Sequence, residues 1–115
     1  MESREFNTLL LKRFPEIKED FESYVIWQDG IDTGSFLVVE DVFNKLLWRS
    51  IENGETELVN RIFSFAEAIL NQGDEYACNV IVVGFLEAIK SDGRSDEIVP
   101  HLLPHSKKAY DSIAL

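Results

Sequence analysis

The chain has 115 residues, 45% of them hydrophobic, which is enough apolar material for one core and too little length for two ordinary domains; residues 1–115 are expected to form a single domain. Its 21 acidic residues against 11 basic ones leave a formal net charge of -10, which argues against nucleic acid as a direct ligand and against anionic membrane surfaces, and favours a basic partner. The lone cysteine, Cys78, excludes an intrachain disulfide and a multi-cysteine metal cage; with no secretion-signal pattern at Met1–Phe6 and no apolar run near the roughly 20 residues that span a bilayer, a cytoplasmic location is expected.

Phe6, Leu9, Leu10 and Arg13 recur at helical spacing up to Pro15, which suits the first turn of a second helix. That helix would carry Ile17, Phe21 and Tyr24 on one face and Glu16, Glu19, Asp20 and Glu22 largely on the other. Between Trp27 and Ser35 the periodicity fails, and Asp29-Gly30 and Thr33-Gly34 predict the longest loop. Val38, Val39, Val42, Phe43, Leu46, Leu47 and Ile51 then define an amphipathic helix that Asn53-Gly54 ends. A further stripe, Val59, Ile62, Phe63, Ala66, Ile69 and Leu70, stops at Gly73, and Asp74 is placed to cap the next helix, Glu75 to Lys90.

That last segment is apolar around most of its circumference and belongs in the centre, antiparallel to its predecessor because the connection is so short. Its run Val80-Ile81-Val82-Val83 also suits a buried strand, but the helix-forming flanks and the length favour a helix. Ser95 can cap a short helix ending near Pro100, and Pro104 can open a last one through Ile113. The predicted fold is all-α, a compact irregular bundle of about six or seven helices, with stacked helical hairpins as one arrangement.

Few residues suggest chemistry. Asp29, Gly34 and Glu40 fall on positions 1, 6 and 12 of a calcium-binding loop with Phe36 at the eighth, yet Ile31, Thr33 and Leu37 remove most of the oxygen cage, so an acidic connecting loop is the better reading. His101 and His105 have a zinc-like spacing that Pro104 interrupts. Cys78 reads as a small core residue without a partnering base, and Gly84 as a point of close helix approach. No catalytic residue, metal or cofactor is expected, and the protein is read as a non-enzyme.

Charge distribution is more informative than any single residue. Between Phe14 and Asp41 lie eight acids (Glu16, Glu19, Asp20, Glu22, Asp29, Asp32, Glu40 and Asp41) and one base, Lys18, so most of the charge of -10 sits in a quarter of the chain. Clustering of this degree exceeds what solubility needs and suits a surface complementary to a basic cleft. Trp48 is placed to close the core, whereas Trp27, at the edge of the loop, fits an interface anchor and a plug for the end of the bundle equally well. The expected partner-binding set is those eight acids with Trp27 and Phe36.

Several segments together carry a resemblance: Phe6, Leu9 and Leu10 followed by Phe14-Pro15-Glu16; Asp41-Val42-Phe43-Asn44 with Leu46-Leu47; Ile62-Phe63 with Phe65-Ala66-Glu67; Gly73-Asp74-Glu75; Val83 with Phe85-Leu86-Glu87; and Leu102, Pro104 and Ser106-Lys107. Across nearly the whole chain this layout resembles small acidic helical bacterial proteins found near polymorphic toxin genes. The resemblance implies an immunity protein, similar to those of contact-dependent growth inhibition, that binds and neutralises one cognate toxin in the cytoplasm; a basic, nuclease-type toxin would suit the charge. A helical adaptor for a housekeeping protein is the competing expectation, and a small enzyme ranks third because no acid, base or nucleophile set is visible by spacing.

Overall fold

In the computed structural model, which describes residues 1–114, these periodicities become seven helices and one short 3-10 turn. Helix α1 is Ser3–Arg13, α2 spans 15–25, α3 spans 35–52, α4 is Thr56–Gln72, α5 spans 75–91, α6 spans 95–101 and α7 is Pro104–Ser112, with the 3-10 turn at Gly30–Asp32. No strand occurs among the described residues, and the β-branched run at Val80 lies inside α5.

The core is aromatic. Phe14 meets Phe43 edge-on with centroids 4.9 Å apart, Phe14 also meets Phe65 at 5.4 Å, and Phe85 joins Phe43 at 5.7 Å and Phe63 at 5.6 Å. These rings tie α3, α4 and α5 to the segment entering α2, and edge-to-face pairs add to the stabilisation their burial gives. Helices α4 and α5 run antiparallel: Phe63 faces Phe85, while Cys78, near the start of α5, sits half-buried with its thiol 3.6 Å from the Ile69 carbonyl. Gly73, at φ +77°, ends α4, and the Asp74 carboxylate accepts the Ala77 N–H at 2.9 Å to start α5.

Helices α3 and α5 each contain a π-helical stretch, Val39–Phe43 and Val80–Glu87, and they cross where Gly84 leaves no room for a long side chain. A Cβ there would lie 3.4 Å from the Phe36 carbonyl oxygen and 3.5 Å from the Val39 side chain. Those are ordinary contact distances for a methyl and no space for more. Gly84→Ala is therefore expected to change stability by no more than about 1 kcal/mol, whereas Gly84→Leu should cost about 1–3 kcal/mol in urea unfolding because the crossing must open.

The C-terminal helices are held by side chains from elsewhere in the chain. Ser95 does not cap α6; that place falls to Arg94, and the Ser95 hydroxyl instead pairs with the Tyr110 hydroxyl at 2.6 Å, joining α6 to α7. Lys90 donates to the Tyr110 and Ile113 carbonyls, each at 2.8 Å, and so satisfies the C-terminal end of α7. At the other end Glu67, on α4, accepts the backbone N–H groups of His105 and Ser106 at 2.8 and 2.9 Å.

Burial pushes the Glu67 pKa up, but these N–H groups and the His105 ring outweigh it and hold the carboxyl below the usual glutamate range. A depressed folded-state pKa stabilises the fold above the unfolded value and loses that contribution as the pH falls through the folded one. Glu67→Gln should therefore lower stability by about 1–2 kcal/mol at neutral pH, and the gap from the parent protein should narrow as the pH falls below the ordinary glutamate range in parallel denaturant melts.

Candidate functional site: an acidic surface around Trp27

Phe21 and Val25 turn one face of α2 into the core, so continuation of the helical path past Val25 sends the next two side chains outward. Ile26 is 69% exposed and Trp27 is 90% exposed. The indole thus stands in solvent and plugs nothing. Glu22 lies one turn before Ile26, and Asp29 follows in the connecting turn; both are exposed.

The segment after Trp27, expected as an open loop, is braced from beneath. Gly30 takes a φ of +59°, and the 3-10 turn it opens rests on the fully buried Asn7 of α1. Asn7 donates through Nδ2 to the carbonyls of Ile31 at 2.9 Å and Thr33 at 2.7 Å, while the Ser35 hydroxyl donates to its Oδ1 at 2.8 Å. Gly34 has an ordinary negative φ of -51°, so the sharp turn a calcium loop needs at that position does not form. The two histidines are engaged separately: His101 stacks on Phe63 with centroids 5.6 Å apart, and His105 contacts Glu67 through Nδ1 at 2.7 Å.

Of the expected binding residues, Asp20 and Asp41 are brought together across the α2–α3 junction, in a depression of about 320 Å³ that Tyr24 and Lys45 also line. The Tyr24 hydroxyl donates to Asp41, and that hydrogen bond to the carboxylate holds the phenol pKa above its ordinary value. Glu19, Glu22, Asp29 and Glu40 are exposed and form no ion pair among the described residues.

Glu16 and Asp32 are set apart. Arg61, reaching from α4, hydrogen-bonds both oxygens of Glu16 at 2.6 and 3.3 Å and lowers its pKa, and Arg4 forks onto Asp32 at 2.9 and 3.0 Å with the same effect. Phe36 turns inward, half-buried and edge-on to Tyr76 at 5.8 Å, so it supports the base of α3 and is not part of the open surface. Two exposed apolar residues join the surface without having been singled out: Ile26, and Leu37, which is 45% exposed one turn before Glu40 and Asp41. Their signal was phase, since neighbours at helical spacing already occupied the buried face.

No helix among the described residues is long and apolar enough to cross a membrane. The sequence matches the family described as "Domain of unknown function (DUF7674)" over residues 7–115. No curated protein and no solved structure matches it.

Proposed function

The chain belongs to that family, and we propose that it acts as an immunity-type inhibitor, a non-catalytic protein that docks a basic toxin domain through the acidic surface around Trp27. The exposure of Trp27 carries this reading: an indole 90% open to water beside Ile26 at 69% presents the large rigid apolar anchor on which protein interfaces are built. The charge suits the same use. Glu19, Asp20 and Glu22 on α2 and Asp29 just after Trp27 add exposed negative charge along the same stretch of chain, and Asp41 joins Asp20 across the α2–α3 junction; such charge speeds encounter with a basic surface, while an aromatic buried on docking slows release. Against a nuclease toxin these carboxylates would stand where substrate phosphates bind.

The test is co-expression with the protein encoded immediately upstream, with growth followed in the presence and absence of this chain. Toxicity of the neighbour alone, relief by this chain and co-purification of the two support the reading. A harmless or non-binding neighbour removes it and leaves a helical adaptor for a basic cellular protein as the account to pursue. Because Arg4 already neutralises Asp32, charge reversal belongs at Glu19, Asp20 and Glu22: the triple lysine variant is expected to slow association about tenfold at low salt and much less at high salt, in stopped-flow or biosensor traces with the captured neighbour.

A further inference from the structure

Helix α7 is short of apolar side chains. Of its nine residues Ser106 and Tyr110 are buried, whereas α4 buries six apolar ones. Ala109 and, just past the end of the helix, Ile113 are half-buried, so the face that α7 lays on α4 and on Val80–Glu87 of α5 offers one ring and little further apolar surface. A helix of this length does not persist alone in water, and packing of an apolar face is what ordinarily holds one in place.

Three polar fastenings stand in for that packing, one at each end of α7 and one reaching its buried ring. Glu67 of α4 holds the His105 and Ser106 N–H groups; Lys90 of α5 donates to the Tyr110 and Ile113 carbonyls, with its ammonium 4.8 Å from the centre of the Tyr110 ring; Ser95 of α6 pairs with the Tyr110 hydroxyl. Ahead of the helix, Leu102 and Leu103 are extended, with φ and ψ of -66° and 137° and of -102° and 171°. The Leu103 N–H is bound to the Ser106 hydroxyl, within the unit that α7 itself forms, so a turn at this joint leaves that bond intact.

We propose that α7 is a strap: it lifts off α4 and α5 and unfolds as one unit, turning at Leu102 and Leu103, while the rest of the bundle stays folded. The fastenings at Glu67, Lys90 and Ser95 set how frequently it opens. Opening bares the strip of α4 and α5 beneath it and gives the fold a second, less populated state. The device is independent of the docking surface, because Ile26 and Trp27 belong to none of the elements to which α7 is fastened.

The test is native-state hydrogen exchange, followed by NMR on the full chain at urea concentrations below its unfolding transition. Amides of residues 105–112 are expected to share one opening, about 100-fold more frequent than the one that releases residues 63–69 and only weakly dependent on urea because little surface is bared. Lys90→Met keeps the aliphatic stem and removes the donors; it should speed exchange about tenfold at both ends of α7, at His105 and Ser106 as much as at Asp111 and Ser112. Ser95→Ala should act in the same pattern about threefold, and it carries the test if the first variant does not fold. Phe14→Leu, which loosens the ring pairs with Phe43 and Phe65, should speed exchange in α4 and leave α7 unchanged, since those pairs survive in the opened state. Acceleration confined to the end nearest Lys90 would mean fraying of a helix end. A common rate for α7 and residues 63–69, or equal acceleration of both by Phe14→Leu, would mean that α7 opens only with the whole fold; each of these results overturns the proposal.

Discussion

Trp27→Ala is expected to weaken the complex with the captured partner at least about 30-fold, roughly 2 kcal/mol, while changing the stability of the free chain by less than about 0.5 kcal/mol. The two halves of this result have different origins. In the free protein the indole is 90% exposed, so truncation removes little packing and leaves no cavity. On docking, an indole can withdraw about 200 Å² from water, worth on the order of 5 kcal/mol before the cost of ordering it; about 2 kcal/mol is a conservative remainder. Calorimetric titration of parent and variant with the partner, beside thermal melts of both, separates the two effects. A variant that melts much lower would mean that Trp27 packs against the chain, and one that binds normally would move the interface elsewhere. Asp32→Ala, where Arg4 already holds the charge, is the matched control and should change affinity little.

Helix by helix, the legible parts were those in which local chemistry and the buried face agree. Gly73 followed by Asp74 reads as a stop and a cap because one tolerates positive φ and the other carries a short acceptor, and both do those things here. The stripes on α3 and α4 are long enough for a 3.6-residue period to stand out. What escaped the sequence depends on partners distant along the chain. Glu16 and Asp32 are indistinguishable by pattern from Glu19 and Asp20, yet arginines 45 and 28 residues away neutralise the first two and spare the others. Phe36 adjoins an acidic loop and suggests an exposed anchor, but Tyr76, 40 positions later, draws it inward. Ser95 looks like a cap until Tyr110 claims its hydroxyl. The π-helical turns in α3 and α5 have no signature at helical spacing, since the same apolar residues serve an ordinary helix.

Asn7 is the most consequential of these long-range residues, and Asn7→Ala is expected to cost about 3–5 kcal/mol, the largest loss of stability of the substitutions considered. On α1 it sits between Phe6 and Thr8, where a polar residue reads as solvent-facing, yet it is 0% exposed and serves three groups from the segment after Trp27. Truncation leaves the carbonyls of Ile31 and Thr33 without a donor and the Ser35 hydroxyl with only the longer contact to the Ser3 carbonyl at 3.3 Å, and each orphaned group shielded from water costs about 1–3 kcal/mol. The melting temperature should fall by on the order of 15 °C or more. Loosening should also be local. Because Asn7 fastens the turn at Gly30–Asp32 and the start of α3 to α1 by hydrogen bonds, amide exchange at Ile31–Ser35 should accelerate more than exchange in the α4–α5 core. Partner binding then gives the link to function: a released turn lets Ile26 and Trp27 sample many orientations, so the variant should bind more weakly even at temperatures where it remains folded. Undiminished affinity in the folded variant would show that the Trp27 anchor is positioned by α2 alone and that the brace beneath the turn serves stability only.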